Sequence, residues 1–223
     1  MNVTLNCITQ PMILRKDHLE DTFDSAHITP EEYIIYAGRV SNPENRLNHE
    51  TAPKLLKYLI DHRHWSPFEM VSIGVEIETS RAIAQQMLRH RSFSFQEFSQ
   101  RYAKVDSMEP IELRMKANTN RQSSSEIVPY NDRTYDMINE VVKSAQHVYE
   151  QLIDGGISTE TARFVLPLTT QTTVIMHGTL RSWIHFFSQR CDEHAQKEIR
   201  EIAFAARELI GEQFPWTKAA LDW

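Results

Sequence analysis

The chain is poor in residues that mark several common protein classes. It has only two cysteines, Cys7 and Cys191, in 223 residues. No Cys-x-x-Cys pair exists to bind zinc and no disulfide framework is suggested, so a reducing compartment is the simpler setting. Glycine is scarce too, at six residues. Neither a Gly-x-Gly-x-x-Gly turn nor a Walker-type loop occurs. Any nucleotide phosphate must therefore be held by side chains rather than by a glycine-rich backbone cradle. No apolar run approaches the length of a membrane span. Met1-Asn2-Val3-Thr4-Leu5 lacks the basic and apolar regions of a signal peptide. A cytoplasmic protein without membrane contact is expected. Basic residues are not in excess, with 24 Lys and Arg against 30 Asp and Glu and a net charge of −6. That balance argues against a general nucleic-acid surface.

What is present is ordinary globular material, 41% hydrophobic and 24% charged. The length permits a sizeable core, and one domain over residues 1–223 is expected, with no internal repeat and no linker. Val3, Leu5 and Cys7 alternate with polar residues and predict a first strand. Thr29-Pro30-Glu31-Glu32 is a capping box with proline at the first helical position, opening a helix toward Val40. A second helix is expected from Pro53 to His62. Val71, Ile73, Val75 and Ile77 alternate with Ser72, Gly74, Glu76 and Glu78, which predicts a half-buried antiparallel strand. Ser80 caps a helix expected to run from Arg81 to about His90. Ile111, Leu113 and Met115 suggest another strand, and the polar stretch Asn118 to Ser125 reads as a mobile loop. Ile138, Val141, Val142, Ala145, Val148, Tyr149, Leu152 and Ile153 form a helical stripe closed by Gly155-Gly156. A short helix from Ser158 to Arg163 follows. A strand through Thr170, Thr172, Val174 and Met176 precedes a helix from Leu180 to Gln189. A long last helix carries Ile199 to Ile210 and ends at Gly211. Helices and strands alternate without a βαβ rhythm, so the expected class is α+β, an antiparallel sheet with packed helices.

The densest chemistry lies between Gln86 and Tyr102. Arg89, His90, Arg91 and Arg101 gather there with several hydroxyls and a single acid, Glu97. Arginine's planar fork meets phosphate oxygens in pairs, so the cluster reads as a local site for a small anionic ligand. On a helix, Gln86, Arg89 and His90 would share one face, and Arg91 would point elsewhere. The ordinary alternative is a solvated helix end whose cations suit the dipole. Spacing alone leaves the two about even.

The order of residues in this segment resembles the signature of the flavin-dependent thymidylate synthases. Arg89-His90-Arg91 is followed by seven residues, Ser92 to Phe98, and then by Ser99, Gln100, Arg101 and Tyr102. Further segments resemble the same family in the same order: His64-Trp65-Ser66-Pro67-Phe68-Glu69, Arg163-Phe164-Val165-Leu166-Pro167, Leu180-Arg181-Ser182, Arg190-Cys191-Asp192 with Ala195-Gln196 and Glu198-Ile199, and Pro215-Trp216. The resemblance covers roughly Ser41 to Trp216. Met70 departs from it, standing where many relatives have a second histidine.

The resemblance implies an α+β enzyme of dTMP biosynthesis that methylates dUMP. 5,10-Methylenetetrahydrofolate would supply the carbon, NADPH the reducing equivalents, and bound FAD would carry the hydride. It also implies a homotetramer with active sites at subunit interfaces. For dUMP it points to Gln86, Met87, Leu88, Arg89, Glu97, Phe98, Ser99, Gln100 (through its backbone) and Arg101. Arg163 and Arg190 are expected to complete that site from other subunits. For FAD it points to Ser41, His64, Ser66, Arg89, His90, Arg91, Glu97, Thr179, Leu180, Arg181 and His185. Arg190 is the expected catalytic residue, stabilising negative charge on O4 or N3 of the uracil and so activating C5. Its ordinary alternative is an ion pair with Asp192 or Glu193, and that of Arg163 is a pair with Glu160.

Unrelated thymidylate synthases attack uracil with a cysteine in a proline-cysteine motif. Neither cysteine here has that context, and both read as bystanders. His62, His64, His185 and His194 lack acid or cysteine partners at metal spacing, so no metal is expected. His49 and His177 read as ordinary polar positions. Two competing functions remain. One is a nucleic-acid module using the arginine cluster with Phe93, Phe95 and Phe98 as stacking platforms, against which the acidic net charge weighs. The other is a flavoprotein oxidoreductase without methyl transfer, which intact Ser99, Arg101, Arg163 and Arg190 oppose.

Overall fold

A computed structural model describes residues 1–14, 27–48, 50–118 and 124–223. His49 and the centre of the Asn118 to Ser125 loop lie outside them. The central feature is a four-stranded antiparallel sheet. It is built from β1 (Asn2–Ile8), β2 (Ser72–Ser80), β3 (Ser94–Glu97) and β6 (Gln171–Thr179), in the order β1-β2-β6-β3. A separate hairpin joins β4 (Arg114–Lys116) to β5 (Ser124–Ile127).

The alternation read from β2 works as expected. Ile73, Val75 and Ile77 are fully buried, and Val174 and Met176 of β6 join them on the same face. Burying each such side chain stabilises the fold by about 1.5–3 kcal/mol. Helices cover that face: α3 (Arg81–Met87), α6 (Leu180–Arg190) and α7 (Lys197–Gln213). Trp183 of α6 is fully buried, and its indole N–H donates to the Ile73 carbonyl at 3.2 Å, so even this large ring leaves no polar atom stranded. The opposite face of β6 keeps Ile175 and His177 exposed. Gly178 is required where it stands, because a Cβ there would meet the Phe93 ring at 2.5 Å.

The capping box opens α1 (Pro30–Gly38) as predicted, with Thr29 and Glu32 bonding reciprocally. The second helix, α2 (Ala52–Asp61), also falls where its spacing placed it. The remaining helices are α4 (Arg133–Asp154) and the single turn α5 (Thr159–Ala162), which share a second, smaller cluster, and α8 (Pro215–Ala220), which packs on α2 and α7.

Four expectations need correction. The helix from Arg81 ends at Met87 rather than His90, so a shared helical face for Gln86, Arg89 and His90 does not exist. The strand expected over 111–115 forms only at Arg114–Lys116, and Ser124 and Ser125, the end of the expected 118–125 loop, belong to its partner β5. β3 was not anticipated at all. The α4 stripe is split: Tyr149 is buried, with Leu152 and Ile153 packed in the same small cluster, whereas Val141 and Val148 stay exposed. Periodicity finds an apolar face but cannot say whether its cover comes from the same chain. Among the described residues, no helix is long and apolar enough to cross a membrane.

Candidate functional site

The arginine motif sits on the turn between α3 and β3. Because the helix stops at Met87, the next residues are free to diverge. Arg89 and Arg91 project to solvent, while His90 is buried, its N–H bonding back to the Met87 carbonyl at 3.0 Å. The His90 ring packs edge-on against Phe186 of α6 at 4.9 Å. It also meets Arg190, at the C-terminal end of α6, whose Nε donates to His90 Nε2 at 3.0 Å. Nη2 of Arg190 reaches toward the Gln86 carbonyl at 3.5 Å. Two segments a hundred residues apart thus meet within one chain.

This contact fixes the state of the ring. An Nε2 that accepts from arginine places the neutral imidazole's proton on Nδ1. Burial, then the charges of Arg190 and His185, push the His90 pKa down to about 4. A depressed histidine pKa means the unfolded chain binds the proton more readily. Stability from this group is therefore complete above pH 6.5 and is lost as pH falls toward 4. The expected loss across that window is about 3 kcal/mol in the flavin-free protein, from the shift and its conversion factor. His90→Gln should flatten that part of the curve of urea midpoint against pH. An unchanged slope would remove His90 from the account.

Glu97, the single acid of the cluster, is held at the end of β3. Its Oε1 accepts from Arg81 Nη1 at 2.7 Å and from the Thr172 hydroxyl at 3.1 Å. Sequence reading singled out Glu97 but not Arg81, because a link across sixteen residues leaves no local pattern. Beyond β3, Ser99 and Arg101 are exposed and Gln100 is buried. Arg101 pairs with Glu160 at 3.0 Å, three residues before Arg163. The Glu160 carboxylate, Arg163's expected ordinary partner, is thus taken by Arg101. Phe164, beside Arg163, is 82% exposed.

A cleft of about 770 Å³ opens on the other side of α6. Trp65, Ser92, Thr179, Arg181, Ile184 and His185 are among its walls. The Thr179 hydroxyl caps α6 by accepting the Ser182 N–H, and Arg181 pairs with Glu69. Of the expected cofactor residues, the structure brings Thr179, Arg181 and His185 together. Ser41 lines a separate cleft with Arg39 and Tyr58. His64 stands edge-on to Tyr58 at 6.0 Å, and Ser66 opens the 3-10 turn that carries Glu69.

The other groups weighed from sequence have ordinary neighbours. His62 stacks on Tyr58 with ring centroids 4.0 Å apart. Phe93 is buried against Trp183, and Phe95 packs at the edge of the core. Cys191 follows Arg190, but burial raises its pKa against the opposing charge of Arg207, which makes it a poorer nucleophile at neutral pH. Met70 is half exposed at the end of the 3-10 turn.

An α+β scaffold that sets a cluster of arginines beside an aromatic-walled cleft defines a protein that can hold an anionic nucleotide next to a larger cofactor. The chain belongs to the family described as thymidylate synthase complementing protein, whose profile matches residues 25–216. It is 48% identical to a probable flavin-dependent thymidylate synthase of Paramecium bursaria Chlorella virus 1, over 87% of this chain and 92% of that protein. It is 43% identical to a flavin-dependent thymidylate synthase of Synechocystis sp., with 100% of both chains covered. The enzyme of that name from Thermus thermophilus is 34% identical, over 85% of this chain and 70% of the relative.

Proposed function

We propose that the chain is a flavin-dependent thymidylate synthase that converts dUMP to dTMP, with 5,10-methylenetetrahydrofolate as carbon donor, NADPH as reductant and FAD as the bound flavin. The observation that carries this reading is the meeting of Arg190 with His90 inside the Arg89-His90-Arg91 motif. It joins the signature segment to the Arg190-Cys191-Asp192 segment at one point.

The residues fit the ligands in kind. Arg89 and Arg101, exposed and permanently charged, suit the nucleotide phosphate, with Ser99 two residues from Arg101 and Arg163 three residues past its partner Glu160. Gln86, Leu88 and Phe98 would frame that nucleotide, Met87 and Gln100, both buried, would reach it only through their backbones, and Glu97 would stand between the two ligands. The cleft lined by Trp65, Thr179, Arg181 and His185 offers an aromatic wall for a flavin ring and the Arg181 guanidinium for its pyrophosphate, within the usual volume of a cofactor site. Arg91, His64 and Ser66 would extend the proposed flavin contacts, whereas Leu180 and His90 are buried and Ser41 lines a separate cleft, so a single chain does not bring those three to this cleft. When bound, the flavin supplies the hydride that converts the transferred methylene to methyl. The protein's own part is electrostatic. Arg190 is held by His90 so that its guanidinium can face the uracil, where it stabilises charge on O4 or N3 and raises the nucleophilicity of C5. A thiolate attack is not required for that activation.

A homotetramer is part of the proposal. Met137, Val141 and Val148 on α4, together with Phe164 and Leu168, are large apolar side chains left exposed by a single chain. Packing them against neighbouring copies would cover them and bring further residues to each site.

The purified protein should be yellow, release a flavin on denaturation, and form dTMP from dUMP, methylenetetrahydrofolate and NADPH under anaerobic conditions. A colourless protein that FAD cannot reconstitute would defeat every flavin reading. NADPH oxidation without dTMP would leave the oxidoreductase instead.

A further inference from the structure

Gln86 is the inner end of a hydrogen-bonded chain that leads away from the proposed nucleotide site. Its Nε2 donates to Gln196 Oε1 at 2.6 Å. Gln196 passes its own Nε2 to Glu198 Oε2 at 2.9 Å. The other Glu198 oxygen accepts Arg114 Nη2 at 2.6 Å. Arg114 also donates to Glu112 at 2.8 Å, and Glu112 takes Lys197 Nζ at 2.7 Å and 2.9 Å. Gln196 immediately precedes α7, Glu198 lies in its first turn, and Arg114 belongs to the β4–β5 hairpin.

The chain has a direction. An ionised carboxylate only accepts hydrogen bonds, and a guanidinium only donates. Burial opposes ionisation of Glu198, but bonds from Arg114, its own backbone N–H and Gln196, with the Arg114 charge, keep its pKa below the usual value. Glu198 must therefore draw the NH₂ end of Gln196. Gln196 can then offer only its carbonyl oxygen to Gln86, and Gln86 must turn its NH₂ to meet it. The Gln86 carbonyl oxygen is left facing its other neighbours. An amide that could otherwise flip is thus given one orientation by a charge two residues away in the network.

We propose that Gln196 and Glu198 are positioning residues that fix the Gln86 amide so that it presents its carbonyl oxygen to a hydrogen-bond donor on the nucleotide, the pyrimidine imide N–H or the sugar hydroxyl. This rests on the placement of Gln86 at the nucleotide. It adds a requirement that no contact with ligand would reveal: the β4–β5 hairpin, through Arg114, helps to hold the substrate glutamine.

The test is a double-mutant cycle on the flavin-loaded enzyme, read by dUMP binding and by KM and kcat. Gln196→Ala and Glu198→Ala should each weaken dUMP about 3- to 10-fold, the range set by one net hydrogen bond. The effect should appear in KM, with kcat and flavin absorbance little changed. In a Gln86→Ala background, either substitution should add nothing. Full additivity in that background would overturn the relay, as would a loss of dUMP binding that tracks a lowered melting temperature. If Gln86→Ala itself leaves dUMP binding intact, the placement of Gln86 fails rather than the network. Comparing dUMP with its 3′-deoxy analogue then identifies the donor within a supporting result. A penalty that disappears assigns the hydroxyl, and one that persists assigns the imide.

Discussion

Arg190→Ala should retain bound flavin yet lower kcat/KM for dTMP formation roughly 100- to 1,000-fold, the usual consequence of losing one preorganised charge stabiliser. The expectation comes from where the side chain is held. Its Nε is tied to His90 and its Nη2 lies near the Gln86 carbonyl, so one guanidinium edge is committed to the protein and the remainder is free for substrate. Burial and then the nearby charge of Arg89 lower its pKa below the usual guanidinium value. Arg190→Lys should recover little, because a point charge cannot hold the histidine and a planar ligand at once. Absorbance spectra separate cofactor loss from lost chemistry. Full activity in a flavin-loaded Arg190→Ala enzyme would remove this residue from the mechanism.

The second large effect lies far from the cleft. Glu31 is 3% exposed, and among the described residues no cation pairs with it. Its carboxylate accepts the Trp216 N–H at 3.1 Å, the Thr217 N–H at 2.6 Å and the Thr217 hydroxyl at 2.8 Å. It therefore caps the start of α8, where Pro215 has no N–H to satisfy. Burial raises its pKa above the ordinary carboxylate value, and those three bonds oppose the rise. Glu31→Ala leaves two backbone donors and a hydroxyl without partners, and should cost about 3 kcal/mol. For a chain of this size that is roughly 6–12 °C in melting temperature. Glu31→Gln keeps one acceptor and avoids burying charge, so it should lose less than half as much. Equal melting temperatures for wild type and Glu31→Ala would show that α8 is anchored by its apolar side chains alone.

Glu31 also shows where sequence reading stops. Its place in the capping box was legible, because Thr29, Pro30 and Glu32 form a pattern within four residues. Its bond to Thr217 was not, because 186 residues separate the partners and neither residue type announces the other. The same division runs through the candidate site. β2 and the helix stripes could be read from periodicity, and the residues of the Arg89 to Arg101 segment from their order. Their directions could not. A helix assumed to reach His90 ends at Met87, and that three-residue difference turns His90 inward onto Phe186 instead of outward beside Arg89. Arg81 beneath Glu97 and Gln196 beside Gln86 were invisible for the same reason as Thr217. β3 was missed because four residues, Ser94 to Glu97, are too few to display alternation, and their strand character comes from the β6 edge they join.

The strand order carries a consequence for how each copy comes into being. Ile73 finds its partner in Gly178, and Phe95 finds its partner in Met176. During synthesis β2 can pair only with β1, and β3 has no edge to join until β6 has left the ribosome. From the completion of β2 at Ser80 until β6 begins at Gln171, the nascent polypeptide carries an apolar central strand with one open side, the kind of surface that chaperones recognise. Such distant pairings also favour slow folding. Arg190 follows β6 in the chain, so the contact with His90 on which the proposed chemistry rests can form only late in synthesis.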